Sequence, residues 1–145
     1  MRYLALDIGE RRIGLALSES GLLATPHSVL PRKSKKEDFA RLQQLIVALE
    51  IDCLVVGLPY SLSEPGRLGP QARRIKRYAE ALAEMVDVPL DYFDESYSTV
   101  DAEAYLSAGA YKPGKKPKTP VDAAAAAVIL QNYLDNRRST PLAPA

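Results

Sequence analysis

At 145 residues, with 47% hydrophobic and 26% charged residues, the chain has ordinary globular make-up and length for one domain with a real core. A formal net charge of +1 excludes a global field that draws in polyanions, so any nucleic-acid surface must come from local segregation of charge. One cysteine (Cys53) excludes an intrachain disulfide, and one histidine (His27, in a polar stretch) leaves zinc or Ser–His chemistry without partners.

The chain opens on a short apolar run closed by glycine, Arg2–Gly9 (R-Y-L-A-L-D-I-G), interrupted between Tyr3 and Ile8 only by Asp7. Such a run predicts a strand covered on both faces. Alternation puts Tyr3, Ala5 and Asp7 on one face and Leu4, Leu6 and Ile8 on the other. A carboxylate ending a buried strand is costly unless it is hydrogen-bonded, paired or holding a metal. The plainer reading is an Asp that accepts N–H bonds from the turn after it. Beyond the tight turn Gly9-Glu10-Arg11, Arg12–Ser18 reads as a second strand and Thr25–Leu30 as a shorter third, together an antiparallel meander.

Ser34-Lys35-Lys36-Glu37 has the spacing of a helix capping box, and Phe39, Leu42, Leu45, Ile46 and Leu49 follow at helical spacing. Ile51–Val56 predicts a buried strand with Cys53 as a core residue, ending in Gly57-Leu58-Pro59. Gly57 marks either a sharp exit from that strand or a close approach of a ligand, and the exit is the simpler choice. After a loop over 60–70, a helix over Pro70–Met85 would turn Ile75, Tyr78, Ala79 and Leu82 inward and Arg73, Arg74, Lys76 and Arg77 outward. Pro89–Glu95 reads as the fifth strand, and Ser98-Thr99-Val100-Asp101 as the start of another helix. Gly109–Pro120 carries Lys112, Lys115, Lys116 and Lys118 among prolines and glycines with no acid, which predicts a mobile, positive loop. The last helix runs from Pro120 to about Asn136.

This order predicts an α/β fold, a five-stranded mixed sheet with helices on both faces. Residues 1–137 form a single domain in this reading, and 138–145 a disordered tail. No apolar stretch reaches membrane-spanning length, the N-terminus lacks a signal-peptide layout, and the expected setting is cytoplasmic.

Three acids stand where they could meet. Asp7 and the pair Asp94-Glu95 end strands whose carboxyl ends are the usual place for ligands, and alternation lets only one of the pair share a face with Asp7 without saying which. Asp122 sits in a good helix start, Thr119-Pro120-Val121-Asp122, where an acid serves the helix dipole. Yet Asp122, Ala126, Ile129 and Tyr133 form one stripe whose remainder is apolar, and Ala123–Ala127 lets the backbone come close to the sheet. Carboxylates about 4 Å apart repel by a few kcal/mol at an effective dielectric near 20. Divalent cations relieve that, and oxygen ligands alone suit Mg²⁺ or Mn²⁺. Two such ions can clamp the attacking and leaving oxygens of a phosphodiester.

The stretches D-I-G-E-R-R-I-G-L-A-L-S at 7–18, V-V-G-L-P at 55–59, D-E-S-Y-S-T at 94–99 and V-D-A-A-A-A-A-V-I-L-Q-N-Y-L at 121–134 resemble the YqgF family, in order and across nearly the whole chain. The resemblance implies an RNase H-like fold and a nuclease holding two Mg²⁺ or Mn²⁺ ions. Asp7, Glu95 and Asp122 match the family's acids, which favours Glu95 over Asp94. Arg12 matches a basic residue near the scissile phosphate. Implied substrates are the 5′ end of pre-16S rRNA or, by likeness to Holliday junction resolvases, branched DNA, whose symmetric cutting requires a homodimer. The family's D-E-R-x-T/S-T reads Asp94-Glu95-Ser96-Tyr97-Ser98-Thr99 here. That leaves Arg11 or a loop lysine to replace the missing arginine.

Nucleic-acid contacts are expected from Arg12, from Lys112, Lys115, Lys116 and Lys118, and from Arg73 and Arg77, four apart on one helix face. The run Arg32-Lys33-Ser34-Lys35-Lys36 is a third candidate track, read mostly as solvated surface. Two other readings are a nucleic-acid-binding factor without chemistry and an actin-like phosphate-binding hairpin. The second needs two such domains, and this chain has length for one.

Overall fold

A computed structural model describes residues 1–59, 69–94 and 121–139, the last segment with side chains for 123–137. In chain order these residues form β1 (Tyr3–Ile8), β2 (Arg12–Ser18), β3 (Thr25–Pro31), α1 (Lys35–Ala48), β4 (Cys53–Leu58), α2 (Pro70–Met85), β5 (Leu90–Asp94) and α3 (Val121–Ser139). The expected helix at Ser98, the loop Gly109–Pro120 and residues 140–145 lie outside the described residues. Arg138 and Ser139, expected in the tail, are helical.

The five strands make one sheet in the order β3-β2-β1-β4-β5. β1 pairs antiparallel with β2 and β2 with β3, whereas β4 pairs parallel with β1 and β5 with β4. The carboxyl ends of β1, β4 and β5 therefore share one edge.

Each face of the sheet buries its own core, which is why the central strands are nearly all apolar. On one side Leu4, Leu6, Ile8, Leu54 and Val56 pack under Phe39, Leu42 and Ile46 of α1 and Ile75, Tyr78 and Leu82 of α2. On the other, Tyr3, Ala5, Ala16, Val55 and Phe93 pack under Ala126, Ile129, Leu130 and Tyr133 of α3. Leu4, Leu6, Leu54 and Leu130 are fully enclosed, each contributing about 1.5–3 kcal/mol by the area removed from water. Small residues meet on the α3 side, since Ala5, Ala16, Ala126 and Ala127 are all completely covered. The helix lies close because neither partner has bulk there.

α1 starts as its capping sequence requires: Ser34 is extended and its Oγ accepts from the Glu37 N–H at 3.2 Å. Its end explains where β4 begins. Glu50 takes a left-handed φ of 54°, its N–H bonds to the Val47 carbonyl, and the Ile51 N–H bonds to the Ile46 carbonyl at 2.9 Å. This is a Schellman stop, with Ile51 packing back beneath the helix. Ile51 is thus apolar in service of the helix. The strand is Cys53–Leu58, two residues later than the expected Ile51–Val56, and its ladder opens with Tyr3 opposite Cys53. Gly57 is not an exit but an interior strand residue opposite Phe93.

Beneath the start of α1 lies Asp38, 1% exposed. It accepts from the Lys33 N–H at 2.9 Å, Arg41 Nη2 at 3.0 Å and the Tyr78 hydroxyl at 3.1 Å. Arg32 stacks over the Tyr78 ring at 4.5 Å and donates to the Gly9 carbonyl at 2.7 Å. Arg32 is therefore not solvated surface, as the sequence suggests, but a half-buried tie between the β1–β2 turn, α1 and α2. Burial first, and then the Asp38 carboxylate, push the Tyr78 phenol well above its ordinary value, so it stays protonated as a donor.

Candidate active site at the carboxyl edge of the sheet

Asp7 is half-buried at the end of the central strand. Across the ladder it stands opposite Gly14 of β2, and the register Leu6–Val56, carried one step on, brings Gly57 alongside on β4. Paired residues in a sheet project to the same face, so both neighbours of Asp7 offer no side chain. It also gives Gly57 a spatial reason to be glycine inside a strand.

Alternation along β2 puts Gly14 and Ala16 on the α3 face, and Arg12, its exposed first residue, with them. Asp7 and Arg12 line one pocket of about 370 Å³ with Gly9, Glu10 and Arg11. The turn between them is tight: the Gly9 N–H donates to the Arg12 carbonyl at 2.9 Å, and a Cβ on Gly9 would meet that same oxygen at 2.9 Å. Gly9→Ala is accordingly expected to cost about 1–3 kcal/mol, the usual range for overpacking, read as a lower urea midpoint with unchanged slope.

α3 covers the face on which Asp7 lies. Near its carboxyl end, Tyr133 meets Tyr3 edge-on at 6.0 Å and its hydroxyl donates to Asp91 at 2.7 Å, while Gln131 bonds the Leu22 carbonyl and the Ala24 N–H of the β2–β3 connection. Those contacts fix the end of α3 over the amino end of β1. Its first turn, which contains Asp122, is directed toward the edge where Asp7 sits. The Asp122 side chain lies outside the described residues, as do Glu95, Lys112, Lys115, Lys116 and Lys118. Among the described residues no three acids, histidines or cysteines cluster to hold a metal.

The structure separates the other candidates. Leu90 and Tyr92 pack against the α1/α2 core while Phe93 packs on the α3 side, so Asp94 faces away from Asp7. Arg73 and Arg77 line a groove of about 580 Å³ on the outside of α2, also on the far face. Cys53 is inert as read: burial, with Asp91 adding, pushes its thiol up. Sequence reasoning missed the Asp38 tie and a basic cleft beside the β1–β2 turn. The signal for Asp38 was available, since Asp38, Leu42, Leu45 and Leu49 fall at i, i+4, i+7 and i+11 on one stripe.

A meander passing into parallel strands, helices on both faces and an acid ending the central strand define an RNase H-like α/β protein. The chain resembles the solved Thermus thermophilus RuvC in complex with a Holliday junction substrate, with a TM-score of 0.63 at 16% identity over 97% of each chain, a likeness of fold. Two bacterial relatives bear the name "Putative pre-16S rRNA nuclease". That of Thermoanaerobacter pseudethanolicus is 39% identical over 140 residues, 96% of this chain and 99% of the relative. That of Synechocystis is 40% identical over 137 residues, 94% of this chain and 88% of the relative. The profile of the family described as "RuvX: Holliday junction resolvase" matches residues 1–136. The chain belongs to that family, the YqgF family to which its motifs point.

Proposed function

We propose that this protein is a divalent-metal-dependent endonuclease that trims the 5′ end of pre-16S rRNA. The observation that carries the reading is Asp7, standing between two glycines at the edge toward which the first turn of α3 is directed, with Arg12 in the same pocket. The family relatives support the rRNA substrate.

An oxygen donor with bare neighbours fits Mg²⁺ or Mn²⁺, and Asp7, Glu95 and Asp122 are the residues that would hold two ions. Of the pair that ends β5, Asp94 faces away from Asp7, which leaves Glu95 as the family's match for the second acid. Bound there, the ions supply Lewis acidity and neutralise the charge that builds on phosphate. Arg12 orients the phosphodiester, because a guanidinium fork matches two phosphate oxygens. Gly14, opposite Asp7 on β2, adds no side chain between the carboxylate and the phosphate. Hydrolysis adds water across one P–O bond, leaving a phosphomonoester on one fragment and a hydroxyl on the other. Lys112, Lys115, Lys116 and Lys118 extend the phosphate contacts on the chain leading into α3. No described helix is long and apolar enough to cross a membrane, and a buried free cysteine suits the reducing cytoplasm.

The test offers the full chain a labelled pre-16S 5′ leader, a four-way DNA junction and linear controls, with Mn²⁺, Mg²⁺ or EDTA. Cleavage of the leader that EDTA abolishes is expected. Metal-independent cleavage, or none of any substrate, overturns the proposal. Cutting of the junction alone selects the second reading, a junction resolvase, which the family description supports.

A further inference from the structure

On the other side of the β1–β2 turn, at the same sheet edge, lies a second cleft of about 550 Å³. It shares Gly9 and Glu10 with the Asp7 pocket, so the turn is a thin wall between the two. Among the described residues its floor is Ile8, Ile75 and Tyr78, and its cations are Arg32, Lys35, Arg74 and Arg77 against one acid, Glu10.

These cations divide into two kinds. Arg32 is committed to the Gly9 carbonyl, to Asp38 at 4.0 Å and to the Tyr78 ring, and so forms a fixed wall. Lys35, Arg74 and Arg77 are exposed, and among the described residues none makes an ion pair or side-chain hydrogen bond. Surface cations on helices are ordinarily offset by acids one turn away. α2 instead has no acid in its first turn and presents Arg73, Arg74, Lys76 and Arg77 before Glu80. Three unpaired cations converging on one cleft repel one another, and an anion relieves that repulsion.

We propose that this cleft seats the phosphodiester backbone flanking the cut, so that a nucleic acid straddles the β1–β2 turn. One phosphate lies at Asp7 and Arg12 on the α3 face, and neighbouring phosphates lie against Lys35, Arg74 and Arg77 on the α1/α2 face. The proposal rests on the nuclease reading for its choice of ligand and deepens it by assigning the second contact surface. It also splits the expected Arg73/Arg77 track: Arg77 lines the cleft and Arg73 does not.

The test measures binding of a fluorescent duplex and a four-way junction by anisotropy in EDTA, where metal-dependent cutting is silent, across a salt series. Three full-length proteins are compared: unaltered, Arg74→Ala/Arg77→Ala, and the charge-matched Arg73→Ala/Lys76→Ala on the same helix outside the cleft. Losing two phosphate contacts lowers the slope of log affinity against log salt by about 1.8, and this is expected for the cleft pair. At low salt the cleft pair should bind at least about tenfold more weakly, while the control pair keeps most of the slope and affinity. Equal losses in both pairs, or none in the cleft pair, overturn the proposal. A selective loss in a protein that cuts nothing sinks the nuclease reading and leaves the cleft standing, while cutting with an unchanged slope does the reverse.

Discussion

Asp7→Asn is expected to lower the cleavage rate by about 10³-fold or more, the equivalent of about 4 kcal/mol of transition-state stabilisation. The amide matches the carboxylate in shape, and Gly14 directly opposite brings no side chain to clash with it. What goes is the charge, and with it the strongest oxygen donor at the end of β1. The readout is single-turnover cleavage of the preferred substrate at saturating Mn²⁺, beside far-UV circular dichroism and a urea midpoint to show that the fold survives. Activity within tenfold of the parent would remove Asp7 from the mechanism.

Asp38→Ala is expected to cost about 3 kcal/mol of stability, more than any single exposed ion pair provides. Removing the carboxylate strands the buried Tyr78 hydroxyl and the Lys33 N–H, groups for which desolvation without a partner costs about 1–3 kcal/mol each. Arg32 and Arg41 are 27% and 33% exposed, so their released charges are partly rehydrated, which holds the loss to the lower end for a broken buried pair. Tyr78→Phe removes only one donor and should cost about 1 kcal/mol. Urea unfolding of both variants tests the comparison; equal midpoints would mean that the carboxylate serves Tyr78 alone.

The strands and helices were legible wherever one physical signal ruled one segment. β1 announced itself by an apolar run closed with glycine, and α2 matched Pro70–Met85 because Pro70 starts it and its inner face keeps strict helical spacing. The apolar part of the Asp122 stripe also holds, with Ala126, Ile129 and Tyr133 all buried against the sheet. Reading failed where one residue served two neighbours. Ile51 looked like strand because apolar character does not distinguish a ladder residue from the hydrophobic stop of a Schellman motif. Gly57 looked like an exit because the reason for its bareness, Asp7 on the adjacent strand, is fifty residues away in sequence.

At the site, local pattern chose the acids but could not place them. Alternation left Asp94 and Glu95 level until the packing of Leu90, Tyr92 and Phe93 put Asp94 on the face away from Asp7. Arg32 was hidden in a run of cations that reads as surface, since its partners come from the Gly9 turn, α1 and α2. Charge runs say nothing of which member turns inward.

The two unlike neighbours of β1 also impose a timetable on biosynthesis. β2 leaves the ribosome directly after β1, so the hairpin can close at once, but Cys53 emerges fifty residues behind Tyr3. At ordinary elongation rates that is roughly 3–10 s, during which one side of an almost wholly apolar strand has no hydrogen-bonding mate in its own chain. An edge of that kind is an invitation to strands of other nascent chains, and a chaperone-sized hazard until β4 docks. α3 is translated after all five strands, so the sheet face that carries Asp7 waits longest for its helical cover.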